Sequence, residues 1–196
     1  IQGPETATTQ VNSVIALFEC GYNAFGLRSA GHEDAMASVA GVFSGVQVYS
    51  AAAVTGTCDT GDTSSAWFDQ IMGARALTSN NPALYPLAVG ATAPTGGPNG
   101  VYDKINGVWS LGTAGERLSA IAALYNAMAL AHMGEFLCEI GIDGSDPLTP
   151  TQVLTMAEQW VSRAETHIAN FGSFVMPYGI AGTTGTASQM ADAVRA

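Results

Sequence analysis

Asp59, Thr60 and Gly61 spell the D-T-G of an aspartic protease, a tripeptide that by itself names a chemistry. Such enzymes need two carboxylates sharing a proton, with an apolar strand before the first. Here the polar residues Thr55 to Cys58 precede it and no second copy exists, so the expectation is a turn-rich loop. Asp59, Asp62 and Thr63 also gather oxygens of the kind Ca²⁺ takes, but without the spacing of an EF-hand loop. Asp143, Ser145 and Asp146 pose the same question, and turn and helix-capping roles are expected there. Of His32, His132 and His167, only the last two can face each other, across a helical hairpin, as a metal pair or a catalytic base. The plainer expectation is a partly exposed, hydrogen-bonded histidine. No serine lies in a G-x-S-x-G elbow, and no G-K-[ST] follows Gly112 to Gly115 as a phosphate loop requires. No nucleophile, base and metal set assembles, so no enzyme is expected and no cofactor is implied. Exposed tryptophans are the usual platforms for carbohydrate. Trp160 falls on an apolar stripe and reads as core, whereas Trp67 and Trp109 flank a long Pro/Gly loop and are the candidates for ligand or partner contact.

The bulk composition limits the partners. The chain has 196 residues, enough for one domain with a sizeable core, taken as a single α-helical unit over 1–196. Hydrophobic content of 47% rules out a disordered chain. Only 11% of residues are charged, so small polar residues must cover the surface or much of it must be buried against partners. Six Lys and Arg stand against 16 Asp and Glu, a net charge of −10. That argues against nucleic acid and against docking on anionic lipid. No apolar run reaches the ~18 residues of a membrane span, and no signal peptide is visible. The opening at Ile1 without a methionine suggests a processed or truncated chain. Cys20, Cys58 and Cys138 show no metal spacing. One disulfide with one free thiol, in an oxidising compartment, and three buried thiols both remain open.

The elements that would position these residues are helices. Between Thr113 and Gly172 caps, periodicity and turn chemistry agree on two antiparallel helices. The first is expected to open with a capping box of Thr113 and Glu116, then to carry Leu118, Ile121, Leu124, Tyr125, Met128, Ala131, Phe136 and Leu137 at three-and-four spacing. Its other face is largely alanine, so both sides can pack. The second is capped by Thr149, with Pro150 at the first helical position, Gln152 completing the box, and Leu148 and Val153 as a hydrophobic staple. Its apolar face is Val153, Met156, Ala157, Trp160, Val161, Ala164, Ile168 and Phe171, and Gly172 is its stop. Gly141 to Pro147 is the turn between them.

Around this hairpin, Ile1 to Thr8 reads as an extended arm. Thr9 to Ser29 is a helix with Val11, Val14, Ile15, Phe18, Tyr22 and Phe25 in a stripe, and Gly21 and Gly26 weaken it or admit a neighbouring backbone. His32 to Val39 reads as a second helix, and Gly41 to Val54 as its continuation. Thr55 to Ser65 is a loop, followed by a helix carrying Trp67, Phe68, Ile71, Ala74 and Leu77, with Asp62 or Thr63 as its cap. Asn80 to Asn99 is a long Pro/Gly-rich loop, Val101 to Trp109 a short helix or turn, and Ser173 to Thr186 a loop. A helix restarts over Thr186 to Arg195 with Met190, Ala191 and Val194 in register. It stops at Ala196, as the N-terminal part of a longer product would.

The run G-E-F-L-C-E-I-G-I-D-G (Gly134 to Gly144), then L-T-P-T-Q-V-L-T-M-A-E-Q-W-V-S-R-A (Leu148 to Ala164), between a long N-terminal helix and an alanine-rich helix at Ala187 to Ala196, resembles the N-terminal part of SusD/RagB-like proteins. The likeness is closest over Thr113 to Ala164. Those are outer-membrane lipoproteins with a tetratricopeptide-like helical scaffold, which cap a TonB-dependent transporter and bind glycans or peptides. The resemblance implies tetratricopeptide-like hairpins with long Gly/Pro-rich loops, an extracytoplasmic position at the outer-membrane surface, and a disulfide between Cys20 and Cys138. The family's lipid-bearing cysteine has no counterpart here, and typical members are more than twice as long.

Two readings follow. One is a SusD-like, non-enzymatic scaffold for a glycan or peptide. The other is a secreted structural subunit that contacts copies of itself in a filament or coat, since subunits with much buried surface need few charges.

Overall fold

The computed structural model describes residues 3–32, 66–81, 84, 99–177 and 184–196. The described residues are mainly α-helical. The helices are α1 (Ala7–His32), α2 (Ala66–Thr78), α3 (Val101–Gly107), α4 (Gly112–Phe136), α5 (Pro150–Phe171) and α6 (Ala187–Arg195). Two isolated antiparallel bridges, Ile140 with Leu148 and Val175 with Thr186, pin the chain before α5 and before α6.

Helix α5 forms where its caps place it. The Thr149 amide donates to Gln152 Oε1 at 2.7 Å, and the Gln152 amide donates to Thr149 Oγ1 at 3.4 Å. The reciprocal pair satisfies two donors that a helix start leaves open. Leu148 and Val153 are both buried, and Gly172 ends the helix with φ of 98°, a backbone conformation glycine adopts without a Cβ penalty. All of the expected apolar face from Val153 to Ile168 is buried. Trp160 sits at its centre, fully enclosed, with the Tyr102 ring edge-on at 4.9 Å.

Helix α4 is the axis of the fold. It packs most extensively on α5 and also meets α1, α2, α3 and α6. Its alanine-rich second face is the reason: Ala120, Ala122, Ala123, Ala127 and Ala129 are all fully enclosed, and small side chains let helices approach from several directions at once. Its start departs from the expected capping box. The helix begins at Gly112, with φ of 55°, and no side chain caps it. Glu116 instead reaches across to α5, where an imidazole and an amide offer it stronger partners than a backbone N–H.

The turn from α4 to α5 is built on Asp143 (φ 51°) and Gly144 (φ 81°). Asp143 also closes a long-range pair. Arg75, in the last turn of α2 and almost completely buried, puts both terminal nitrogens on the Asp143 carboxylate, one of them at 2.9 Å. This bidentate contact ties α2 to the hairpin turn. A second polar knot joins α2 to α3. The Asp103 carboxylate accepts from Ser79 Oγ at 2.8 Å and from the amides of Asn80 and Gly100, and burial raises its pKa against those bonds.

Helices α1 and α2 pair closely at Gly21. A Cβ there would stand 2.8 Å from the Trp67 carbonyl oxygen, so the glycine is what admits the α2 backbone. The expected stripe of α1 is buried through Phe18 and half-open at Tyr22, which is 45% exposed. The expected extended arm is not extended from residue 3 onward. Pro4–Thr6 form a 3₁₀ turn, with the Thr6 amide and hydroxyl both donating to the Gly3 carbonyl at 3.0 and 2.7 Å. Proline preset for a helical start, followed by a side chain that completes the turn, leads directly into α1. His32 is the last residue of α1. The rest of the helix expected over His32 to Val39, the segment Gly41 to Val54, the loop Thr55 to Ser65 with its candidate caps, and most of Asn80 to Asn99 lie outside the described residues. Helix α6 restarts as expected, with Thr186 and Gln189 forming a second capping box. Arg195 anchors it to α5 through Glu165 at 2.5 and 3.0 Å.

Candidate ligand groove and a hydrogen-bonded chain at the other end of the hairpin

A groove of about 450 Å³ lies where α6 crosses α1 and α4. Its walls are Phe18 and Tyr22 from α1, Met128 and His132 from α4, and Met190 and Val194 from α6. Glu135 and Gln189 add polar groups to the lining. A largely apolar concavity with a few polar groups is the usual form of a small-ligand site.

His132 is the unusual member. Its residue is 4% exposed and it lies among rings: Phe25 at 4.6 Å, Phe136 at 4.8 Å, Trp67 at 5.6 Å and Tyr22 at 5.7 Å. Nε2 has no hydrogen-bond partner among the described residues. Burial alone pushes the imidazole pKa down to about 4, because nothing nearby compensates the loss of water around the charged form. The ring is therefore neutral across ordinary pH. This differs from the partly exposed, hydrogen-bonded histidine expected from sequence. The reason is that α1 and α2 deliver Tyr22, Phe25 and Trp67 onto it from far along the chain.

His167 occupies the other end of the hairpin, so the two histidines do not meet. Its Nδ1 lies 2.7 Å from Glu116 Oε2, and its Nε2 lies 2.9 Å from the Tyr102 hydroxyl. An ionised carboxylate only accepts, so Nδ1 carries the proton. In the neutral ring, Nε2 then accepts from Tyr102. Hydrogen bonding to His167, helped by Asn170 at 3.2 Å, holds the Glu116 carboxyl below the usual range. Burial pushes the Tyr102 hydroxyl up to about 12. A phenol so reluctant to ionise is a fixed donor, not a base. The Tyr–His–Glu chain therefore joins α3, α5 and α4 and supplies no activated nucleophile.

A second cavity, of about 460 Å³, opens beside that chain, lined by Trp109, Asn106, Ser110, Thr113, Glu116 and Asn170, among others. Trp109 lines it but is itself largely buried, with Lys104 Nζ 6.0 Å from its ring. Trp67 is partly buried against Phe25, Phe68 and His132 and lines neither cavity. The two tryptophans named from sequence therefore sit apart, in different surroundings.

Among the described residues no group of three or more His, Cys, Asp or Glu side chains is arranged to hold a metal ion. Asp143 has both oxygens on Arg75, and Ser145 Oγ accepts from the Ile142 amide and donates to the Asp146 carbonyl, so that segment is a turn. The D-T-G run lies outside the described residues. Cys138 is a free, exposed thiol, so the Cys20–Cys138 disulfide is not formed. Phe18 directs the face of α1 that meets α4, and Cys20, two residues on, lies about 200° round the helix from it. Cys58 lies outside the described residues. No described helix is long and apolar enough to cross a membrane.

Sequence reasoning missed the groove because its walls, Tyr22 of α1, Met128 of α4 and Met190 of α6, stand far apart along the chain. The local signals were present as apolar stripes on α1, α4 and α6, but a stripe does not say which part of it stays uncovered. No protein-family model matches the chain, and no match is found among curated proteins or among solved structures.

Proposed function

We propose that this protein is a non-enzymatic binding scaffold of the SusD-like type, with tetratricopeptide-like hairpins, that holds a glycan or peptide nutrient at the outer-membrane surface beside a TonB-dependent transporter. The observation that carries the reading is the groove between α1, α4 and α6: about 450 Å³, apolar-walled, with a neutral buried imidazole in its lining. The capped hairpin from Thr113 to Ala164 supports it through the family resemblance. The Tyr–His–Glu chain is consistent with it, since its tyrosine is locked as a donor. Trp109, beside the more polar cavity with Glu116 and Asn170, is the stacking candidate for a sugar. Trp67 serves as a wall behind His132.

Calorimetry against a panel of oligosaccharides and short peptides tests this reading. One-to-one binding of at least one member, without turnover, is expected. Hydrolysis of a panel member, or no binding by any of them, contradicts it.

A second reading, a structural subunit of a filament or coat, is favoured by the apolar residues left open near the end of α4. Phe136 is 52% and Leu154 39% exposed, and Leu154 packs over Gly134. Lateral contact between copies would cover both.

A further inference from the structure

The groove between α1, α4 and α6 is one-sided in charge. Glu135 is the one acidic side chain of its described lining, and no Lys or Arg joins it. His132, also in the lining, is neutral at ordinary pH. The described basic side chains are engaged elsewhere: Arg75 on Asp143, Arg195 on Glu165, Arg117 over Phe174, Arg163 over Trp160 and Lys104 beside Trp109. Glu135 is exposed and makes no hydrogen bond or ion pair among the described residues. It stands two helical turns beyond Met128, so both project from one face of α4. From α1, Tyr22 lines the same groove and is 45% exposed. Its ring is held by stacking on Phe18, with centroids 5.7 Å apart and planes 16° from parallel. A fixed aromatic face attracts a cation, and a carboxylate in the same concavity adds to that attraction. Met128, Ala131 and Val194 also line the groove with accessible surface, and all three are apolar. An anion meets no counter-charge here, and a neutral polyol leaves hydroxyls unpaired against these walls. A cation on a short apolar stem suits both the charge and the walls.

We propose that the groove binds a primary ammonium carried on a short apolar group, with the ammonium between Glu135 and the Tyr22 ring and the apolar group against Met128, Ala131 and Val194. A free alkylamine and the N-terminus of a peptide with an apolar first residue share this chemistry. This rests on the binding-scaffold reading of the same groove and names its ligand class.

The test titrates hexylammonium, 1-hexanol and hexanoate into the full chain carrying ¹³C-methyl methionine, with Met128→Leu to assign the Met128 signal. Hexylammonium is expected to move that signal and to bind about tenfold more tightly than hexanol, the size of one exposed cation–π contact with one exposed ion pair. Hexanoate is expected to bind more weakly than hexanol. Glu135→Gln should lose about threefold to fivefold in hexylammonium affinity. Glu139→Gln, which removes an exposed carboxylate outside the lining and changes the net charge equally, should lose far less. Hexanol or hexanoate binding as tightly as hexylammonium, equal losses in the two glutamate variants, or an unmoved Met128 signal overturns the proposal. Leu-Gly-Gly amide and its acetylated form separate the two sources. Binding of the free amine form alone assigns a peptide N-terminus, and binding of hexylammonium but neither peptide assigns a free amine. Ala193→Trp fills the groove from an exposed position on α6 that lines it, and its melting curve checks that the fold is kept. Oligosaccharides or peptides that bind Ala193→Trp as they bind the wild type would remove this site and leave the scaffold reading standing. Hexylammonium binding with no oligosaccharide or peptide bound would keep the ammonium site and remove the nutrient scaffold.

Discussion

His167 Nδ1 and Glu116 Oε2 are 2.7 Å apart, which joins the last turns of α5 to the beginning of α4 in place of a helix cap. The carboxylate also accepts from Asn170, and the far nitrogen of the imidazole accepts from Tyr102. Three helices therefore share one polar connection. Glu116→Gln weakens a charge-assisted bond on a partly exposed group, and a loss of about 1 kcal/mol in unfolding free energy is expected. Urea denaturation of Glu116→Gln, Tyr102→Phe and the double variant measures the coupling. Non-additive losses are predicted, because the imidazole tautomer that serves Tyr102 is set by Glu116.

Acid destabilisation is predicted to have a specific source. With a folded pKa of about 4 against an ordinary 6.5, His132 takes up its proton less readily in the folded chain than in the unfolded one. Stability is therefore complete above pH 6.5, falls as pH drops from 6.5 to 4, and changes no further on this account below 4. The loss is about 3 kcal/mol at most. Glu116 acts lower. Its carboxyl is held below the ordinary value of 4.5, so its contribution is present above that value and is lost as pH falls beneath it. Denaturation midpoints of the wild type and His132→Phe between pH 4 and 7 separate the two. The His132→Phe curve is expected to lose most of the slope above pH 4.5.

Two glycines on facing helices are predicted to respond oppositely to the same substitution. Gly21→Ala would place Cβ 2.8 Å from the Trp67 carbonyl oxygen and 3.0 Å from Ile71 Cγ1, and α2 must shift, at a cost of about 1–3 kcal/mol. At Gly73 the nearest atom to a new Cβ is Leu17 Cδ1 at 3.6 Å, an ordinary contact. Gly73→Ala is expected to stabilise by about 0.5–1 kcal/mol through helix propensity. Thermal melting of the two variants checks both signs.

Much of this architecture was legible along the chain, and the limits were physical. The start of α5 needs only Thr149, Pro150 and Gln152, which are neighbours, and its stop needs only Gly172. The many-sided packing of α4 could be read from its alanines. The close approach at Gly21 was open as one of two meanings for a glycine in a helix. What sequence did not show were choices between competing partners. Glu116 could complete a capping box or reach His167, and the charge-assisted partner from α5 won. Cys138 had several conceivable pairings, and the facing of α1 left it exposed and free. His132 could have been a surface histidine. Its burial depends on rings that α1 and α2 bring from more than sixty positions away.

Asp143 is predicted to matter far more than its place in a turn suggests. Arg75 is buried to 1% exposure, and its guanidinium rests on Asp143 and on the Ser79 carbonyl oxygen, so Asp143→Ala removes the carboxylate that faces a buried cation. A loss of about 3–5 kcal/mol is expected. Asp146→Ala, on the exposed side of the same turn, should stay within about 0.5 kcal/mol of the wild type. Guanidinium denaturation of the two, side by side, distinguishes the pair from the turn.

The native mass of the purified chain tests the scaffold account most directly. Light scattering at micromolar concentration, with electron microscopy of the same sample, should return a particle of 20.1 kDa that does not change on dilution. Filaments or large regular particles that persist on dilution would contradict a monomeric binding scaffold and make the open face at Phe136 and Leu154 a contact between copies.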